Sequence, residues 1–182
     1  MSKSMPIKQL KKELMQLQQN ELIELVTNLY KKSKKVEEIV NAKFIGKDYV
    51  SELLEDYKGK MYDIFFPNKL TTLPSLKAAK KLISDFKVVG DEIAVLDLML
   101  YYVECGNDFT NTFGDINESF YDSLCSVYEK FVDRLNLQSS DFAYLRFEPR
   151  INNLINSSSH IGWGYGDYIY DKSYEIEWLK EE

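Results

Sequence analysis

The chain has 182 residues, of which 45% are hydrophobic and 14% are aromatic, and its formal net charge is −6. This length suits one domain, and this composition excludes an intrinsically disordered chain because enough apolar surface is present to form a core. The longest unbroken apolar run, Leu98 to Val103, is far too short to span a bilayer. The start of the chain, MSKSMPIKQLKKELMQ, lacks the apolar stretch of a signal peptide. We therefore expect a cytoplasmic protein that does not associate with membranes.

The charge is unevenly distributed. Residues 1–89 hold 17 lysines and 11 acids, a balance of +6, whereas residues 90–182 hold 6 basic and 18 acidic residues, a balance of −12. The basic half can contact an anionic partner, match the acidic half of its own chain, or coat solvated helix faces, and the sequence leaves these open. Lysines at 31, 32, 34 and 35 raise the possibility of nucleic-acid binding. The acidic whole and the lack of arginine in that half argue against it.

Apolar residues recur at the i, i+3, i+4, i+7 spacing of an amphipathic helix along most of the chain. Pro149 lies inside the last of these stretches, so we expect a kink there or two short helices. Residues after 165 could alternate as a strand, but no partner strand is evident. The stretches predicted to be helical are 10–17, 22–30, 36–40, 50–65, 76–86, 93–103, 120–135 and 140–156.

The stretch from Ile93 to Val103 differs from the others because Asp97 is its only polar residue. A helix that is apolar nearly all round must be surrounded by other helices. We expect it to be the buried central helix. The predicted fold is all-α: a single domain over residues 1–182, built as an antiparallel array or bundle of about seven or eight helices.

The segment DFTNTFGDINESFY, residues 108–121, contains acids, amides and a glycine between two apolar stretches. A calcium loop with Gly114 at its sixth position would have phenylalanine at the first and twelfth positions, so both key ligands are wrong. A helix start fits better. Asp115 is expected to cap the next helix and Glu118 to reach back to it. A ligand role is the alternative.

The segment HIGWGYGDYIY, residues 160–170, holds the only histidine and three alternating glycines. The glycine spacing does not match a phosphate-binding loop. Its aromatic side chains either close over the helices or form a pocket wall, with His160 or Asp167 as the polar group. We predict that this segment contacts the 108–118 segment, that Trp163 is the buried filler between them, and that any functional site lies at that seam.

Asp97 is costly inside an apolar helix unless it is paired or neutralised. Arg146 and Arg150 are four residues apart and can share a helix face, so either can be its partner. One histidine without a Glu-x-x-His pattern argues against a zinc or di-iron site, and no cofactor or catalytic residue is expected. The candidate ligand-binding residues are Asp97, Asp115, Arg146, Arg150, His160, Trp163 and Asp167.

Several segments carry a family resemblance: LKKELMQLQQNELIELVTNLYKKSKKVEEIV, LLEDYKGKMYDIFFP, LDLMLYYVECGNDFTNTFGDINESFYDSL and GWGYGD. Together they resemble an uncharacterised bacterial family that is known only as a domain of unknown function. The stretch YYVECGNDFTNTFGDINESFY is the most specific part. The resemblance implies a small all-α cytosolic protein of one domain and brings no catalytic residue with it.

Two functions follow as hypotheses. The first is a non-enzymatic protein-interaction or regulatory module that works through its helical surface. The second is a small-molecule-binding protein or enzyme with a pocket between segments 108–118 and 160–167. The sequence does not indicate the identity of a partner or substrate, or the oligomeric state.

Overall fold

The structure, a computed structural model, describes residues 4–69, 72–138 and 141–177. Those residues form nine α-helices and no strand, which confirms the all-α class and exceeds the predicted number of helices by one or two. The chain divides into two compact units, residues 1–46 and residues 47–182. The first unit contains α1 (Ile7–Leu14), α2 (Gln19–Lys32) and α3 (Lys34–Phe44). The second contains α4 (Lys47–Phe65), α5 (Leu76–Phe86), α6 (Glu92–Phe113), α7 (Glu118–Asn136), α8 (Asp141–Ser158) and α9 (Tyr165–Ser173).

The first unit is held together by helix caps and by the pairing of α2 with α3. The backbone N–H of Gln18 donates to a Glu21 carboxylate oxygen at 2.7 Å, which closes a capping box at the start of α2. The Tyr30 hydroxyl donates to Asn41 Oδ1 at 3.1 Å and so joins α2 to α3. In contrast, neither α1 nor α2, which the structure describes in full, buries a single side chain.

Helix boundaries in the second unit follow local sequence signals. Helix α4 ends two residues before Pro67, because proline lacks the backbone N–H that would continue the helical hydrogen bonds. The Asp91 carboxylate accepts from the backbone N–H of Ala94 at 2.9 Å and caps α6. Gly114 has φ +87, a value that favours glycine, and α6 stops directly before it.

Helix α6 lies against α4, α5, α7 and α8, and most of its residues are buried. Close approach of α7 depends on Gly106, because a Cβ there would collide with the Leu124 side chain. No helix in the described ranges is both long and apolar enough to cross a membrane.

One prediction near the carboxyl end is corrected, and the alternative of a strand there is also excluded for the described residues. Helix α8 continues through Pro149, so the expectation of two short helices is wrong. Apolar residues on both sides of the proline are buried, among them Phe147 and Ile151, and their burial offsets the lost hydrogen bond. Helix α9 falls where an alternating strand was considered, because Tyr165 and Ile169 are buried at helical spacing.

Candidate functional site

The buried carboxylate of Asp97 on α6 binds three cations. Arg150 Nη1 lies 2.6 Å from Asp97 Oδ1, Lys58 Nζ lies 3.0 Å from the same oxygen, and Arg146 Nη2 lies 3.0 Å from Oδ2. Arg150 also forms a bidentate pair with Glu104, with N–O distances of 2.8 and 2.6 Å. The expectation that Arg146 or Arg150 pairs with Asp97 is confirmed, and both do so.

Electrostatics within this cluster favour the charged forms. Burial by itself raises the pKa of Asp97, but the charge of Arg150 and hydrogen bonds from Arg150 and Lys58 outweigh it, so the pKa lies below its ordinary value. Burial opposes the charge of Arg150 as well, yet the Glu104 and Asp97 carboxylates raise its pKa. We call Lys58, Asp97, Glu104, Arg146 and Arg150 the ion network.

An open groove of about 640 Å³ runs beside the ion network, between α4, α6 and α8. Lys58, Glu104 and Arg150 line it together with aromatic and acidic residues. Lys58 also pairs with Glu55 at 3.0 Å. Apart from Asp63, the charged groups that face this groove are thus already bound to one another or to Asp97, which is the arrangement of a structural ion cluster.

The predicted contact between segments 108–118 and 160–167 is present. Asp115 Oδ2 lies 3.5 Å from the position that a Cβ would occupy at Gly162. Each segment also contacts a residue just beyond the other one: the rings of Tyr165 and Tyr121 lie 5.2 Å apart, and the Asn111 side chain donates to the Ser157 carbonyl at 3.1 Å.

Two details of that seam were predicted wrongly. Trp163 is 61% exposed, and Tyr165, which is 1% exposed, fills the interior in its place. Trp163 has φ +60 and therefore sits in a left-handed turn ahead of α9, whereas Tyr165 is the first residue of that helix. Asp115 does not cap α7. The Asn117 side chain does so by accepting from Phe120 N at 3.0 Å, and Asp115 accepts from the Tyr121 hydroxyl at 3.2 Å instead.

Beside the seam lies a cleft between α7 and the start of α9, which we call the α7–α9 cleft. Its volume is about 360 Å³. Positions 118, 122, 125, 126 and 129 share one face of α7 because they follow helical spacing. The lining residues are Glu118, Tyr121, Asp122, Cys125, Ser126, Glu129, Trp163, Gly164, Tyr165 and Tyr168.

Acidic side chains on α7 flank the Cys125 thiol in this cleft. Burial raises the pKa of the Cys125 thiol to about 12, and the charges of Asp122 and Glu129 contribute to the rise. Burial also raises the pKa of Tyr165 well above its ordinary value. The Tyr165 hydroxyl has no hydrogen-bond partner in the part of the chain that the structure describes.

The seven candidate residues do not form one site. Asp97, Arg146 and Arg150 belong to the ion network, whereas Asp115, Trp163 and the exposed side chains of His160 and Asp167 lie in or beside the two seam segments. Seventeen residues of helix and cap separate position 97 from position 114, about 25 Å at 1.5 Å per residue.

Sequence reasoning missed Lys58 and Glu104 in the ion network, and Asp122 and Glu129 in the cleft. The i, i+4 and i+11 spacing of the acids at 118, 122 and 129 on α7 was the available signal for the cleft. Nothing in the sequence indicated that α9 would close its other side.

Comparison with known proteins places the chain in a family. The model of the family of unknown function DUF6155 matches residues 1–172. The chain belongs to DUF6155. No curated protein and no solved structure matches this DUF6155 chain. Within the described ranges, no group of three or more histidine, cysteine or acidic side chains is placed to hold a metal ion.

Proposed function

We propose that this DUF6155 protein is a non-enzymatic interaction module whose amino-terminal helices bind an acidic amphipathic helix of a partner protein. The observation that carries the proposal is the exposure of the apolar face of α2. Leu25, Val26 and Leu29 form one stripe and are 39%, 48% and 47% exposed. A helix in a globular protein normally buries such a stripe, and a contiguous exposed one marks an interaction surface.

Helix α1 extends the argument. Ile7 and Leu10 share one face of this helix and are 73% and 44% exposed. The next turn adds Met15, which is 82% exposed. Two successive helices therefore leave their apolar sides without cover from the described residues around them.

Charge supports an acidic partner. Residues 1–46 carry nine lysines and five glutamates, a balance of +4. Lys31 and Lys32 lie in the last turn of α2, next to the apolar stripe, and Lys11 and Lys12 hold the same position in α1. A partner helix with acids beside its apolar face complements this surface. The same surface on a second copy is equally basic, which disfavours symmetric pairing through α1 and α2.

Binding of designed peptides to the full chain tests this proposal. One peptide carries leucines at i, i+3, i+4 and i+7 with glutamates at the flanking positions, and a second replaces each glutamate by lysine. The glutamate peptide is expected to bind with a micromolar Kd by calorimetry, and the lysine peptide is expected not to bind. Val26→Asp with Leu29→Asp should abolish binding. Asn28→Asp, an exposed position on the polar side of α2, is the matched control and should preserve it.

Three results would overturn the proposal. Equal binding of both peptides would remove the electrostatic argument. Retained binding by the Val26→Asp, Leu29→Asp variant would remove the apolar surface. Salt-sensitive retention on heparin at physiological ionic strength, unchanged in that variant, would favour a nucleic-acid function carried by the lysines.

The finer architecture belongs to the same proposal. We infer that α6 is the central helix of an antiparallel array, which its contacts with α4, α5, α7 and α8 support. A single domain over residues 1–182 predicts one cooperative unfolding transition in calorimetry, and two separate transitions would contradict it. We also propose a bacterial, cytoplasmic protein, to be tested by fractionation of the native cell.

A second function has an observation of its own. The α7–α9 cleft adjoins the predicted seam and has about the volume of a small-ligand site, roughly 300–1,000 Å³. Small-molecule binding there is compatible with partner binding by α1 and α2, because the two surfaces share no residue. Thermal stabilisation by a metabolite library, lost on substitution of cleft residues, tests it.

A further inference from the structure

We infer that the α7–α9 cleft binds a small organic ammonium ion, held by carboxylates on α7 and by the aromatic side chains around Trp163. The inference rests on the second proposed function and names the chemical class of its ligand.

The carboxylates of the cleft are uncompensated. Glu118, Asp122 and Glu129 form no salt bridge and accept no hydrogen bond among the residues that the structure describes. All three side chains are exposed to solvent, and they lie along the face of α7 that lines the cleft. The aligned carboxylates repel one another until a cation neutralises them.

One cation lies at the edge of the cleft. Lys130 Nζ donates to the Ser126 hydroxyl at 3.3 Å. With three carboxylates and this one ammonium, the local balance of formal charge is about −2. The cleft thus excludes anions and retains a charge that one or two positive groups would neutralise.

Aromatic side chains supply the second kind of contact. Trp163, Tyr165 and Tyr168 line the cleft on the side of α9, and Tyr121 lines it from α7, with its ring tilted against that of Tyr165. The Trp163 ring is 61% exposed, although soluble proteins seldom leave a tryptophan uncovered. Indole and phenol faces attract alkylammonium groups because of the negative potential of the ring face.

Tyr165 gives an independent sign of a missing ligand. It contributes to the lining, it is 1% exposed, and its hydroxyl has no hydrogen-bond partner in the described chain. A buried hydroxyl without a partner costs free energy, so native structures seldom keep one without a functional reason.

A bare metal ion fits this cleft less well than an organic cation. No set of three or more ligating side chains is close enough for a metal within the described ranges. Dispersed carboxylates and an aromatic wall instead match a cation whose charge is spread over a larger, partly apolar body.

The test measures binding of three probes to the full chain by calorimetry at low salt. Choline is a quaternary ammonium ion, spermidine carries N–H donors, and 3,3-dimethyl-1-butanol is the neutral isostere of choline. We expect at least one ammonium probe to bind at least tenfold more tightly than the neutral isostere. Binding should weaken as salt is raised, because the carboxylates are exposed to screening. Preference for spermidine would assign recognition mainly to carboxylates, and preference for choline would assign it mainly to the rings.

Variants connect binding to the cleft. Asp122→Asn with Glu129→Gln, and separately Trp163→Ala, should each raise the Kd of the bound probe about tenfold. Phe142→Ala is the matched aromatic control, because Phe142 is 68% exposed and does not line this cleft. Glu52→Gln is the acidic control, because Glu52 is an exposed acid on α4, outside the cleft. Neither control should change the Kd.

Binding of both ammonium probes no tighter than that of the neutral isostere would overturn the ammonium class while leaving a small-molecule cleft in place. No binding of either ammonium probe at millimolar concentration would overturn the inference, and hits from the metabolite library would then still decide the second proposed function. Binding that the cleft variants leave unchanged would place the cation elsewhere and also overturn it.

Discussion

The ion network and the α7–α9 cleft both collect charged side chains, but they treat the charges in opposite ways. In the network, Asp97 is buried and binds Lys58, Arg146 and Arg150. In the cleft, Asp122 and Glu129 face the opening without any cation bound to them among the described residues. The charges of the ion network are paired within the protein, whereas the carboxylates of the cleft have no cation partner among the described residues.

The difference separates structural charge from functional charge. Removing one member of a buried ion cluster leaves other charges without partners, so the fold depends on the complete set. The cleft acids Asp122 and Glu129 form no ion pair among the described residues, and like charges on one helix face repel one another. Groups that lower stability are retained where function needs them. Under the inference of an ammonium site, Asp97 belongs to the fold and the cleft acids belong to ligand binding.

The largest expected effect comes from Asp97→Asn. This change keeps the size of the side chain but removes its charge, leaving Arg146 without its carboxylate partner and Arg150 with Glu104 alone. We expect the free energy of unfolding to fall by about 4 kcal/mol at pH 7, measured by urea denaturation. Glu52→Gln, an exposed acid on α4, is the control and should change it by less than about 0.5 kcal/mol.

The pH dependence sharpens the same test. The partners of Asp97 hold its pKa below the ordinary value in the folded state, so its contribution is complete above the unfolded-state pKa of about 4. That contribution is lost as the pH falls through the lower folded-state pKa. The stability gap between wild type and Asp97→Asn should therefore be constant from about pH 6 to 8 and narrow below about pH 4. A gap that widens in acid would show that Asp97 is not held charged.

The next prediction compares the stability lost when a buried aromatic residue of the cleft, Tyr165, or an exposed one, Trp163, is replaced. Tyr165→Ala removes a buried ring and should destabilise the protein by about 3 kcal/mol. Trp163→Ala removes an exposed ring and should cost less than about 1 kcal/mol. Thermal and urea unfolding of both variants measure the difference. A loss for Trp163→Ala as large as that for Tyr165→Ala would mean that the indole packs into the fold after all.

Local sequence patterns predicted the fold class because each helix buries residues at a spacing that can be read within one segment. The pairing of Asp97 with Arg146 and Arg150 was also predictable, since a carboxylate in an apolar helix requires cations and these two share a helix face. Trp163 and Tyr165 could not be told apart, because both are aromatic residues of one glycine-rich segment. A left-handed backbone at Trp163 decides which ring turns outward.

A smaller effect compares two buried tyrosines. The Tyr128 hydroxyl hydrogen-bonds Ser173 Oγ at 2.6 Å, whereas the Tyr165 hydroxyl has no partner in the described residues. Tyr128→Phe should cost about 1 kcal/mol because the Ser173 hydroxyl loses a buried partner. Tyr165→Phe should leave the free energy of unfolding unchanged or raise it. Destabilisation of equal size in the two variants would show that the Tyr165 hydroxyl is satisfied.

The central claim is that the charges of the ion network are structural and those of the cleft are functional. Neutralising two cleft acids tests it most directly, through the direction in which stability changes. The measurement is the free energy of unfolding, in urea at pH 7 and low salt, of the variant with both Asp122→Asn and Glu129→Gln. Relief of repulsion should leave it unchanged or raise it by about 0.5 kcal/mol, opposite in direction to Asp97→Asn. A loss of more than about 1 kcal/mol would mean that these acids stabilise the fold, and it would contradict the account.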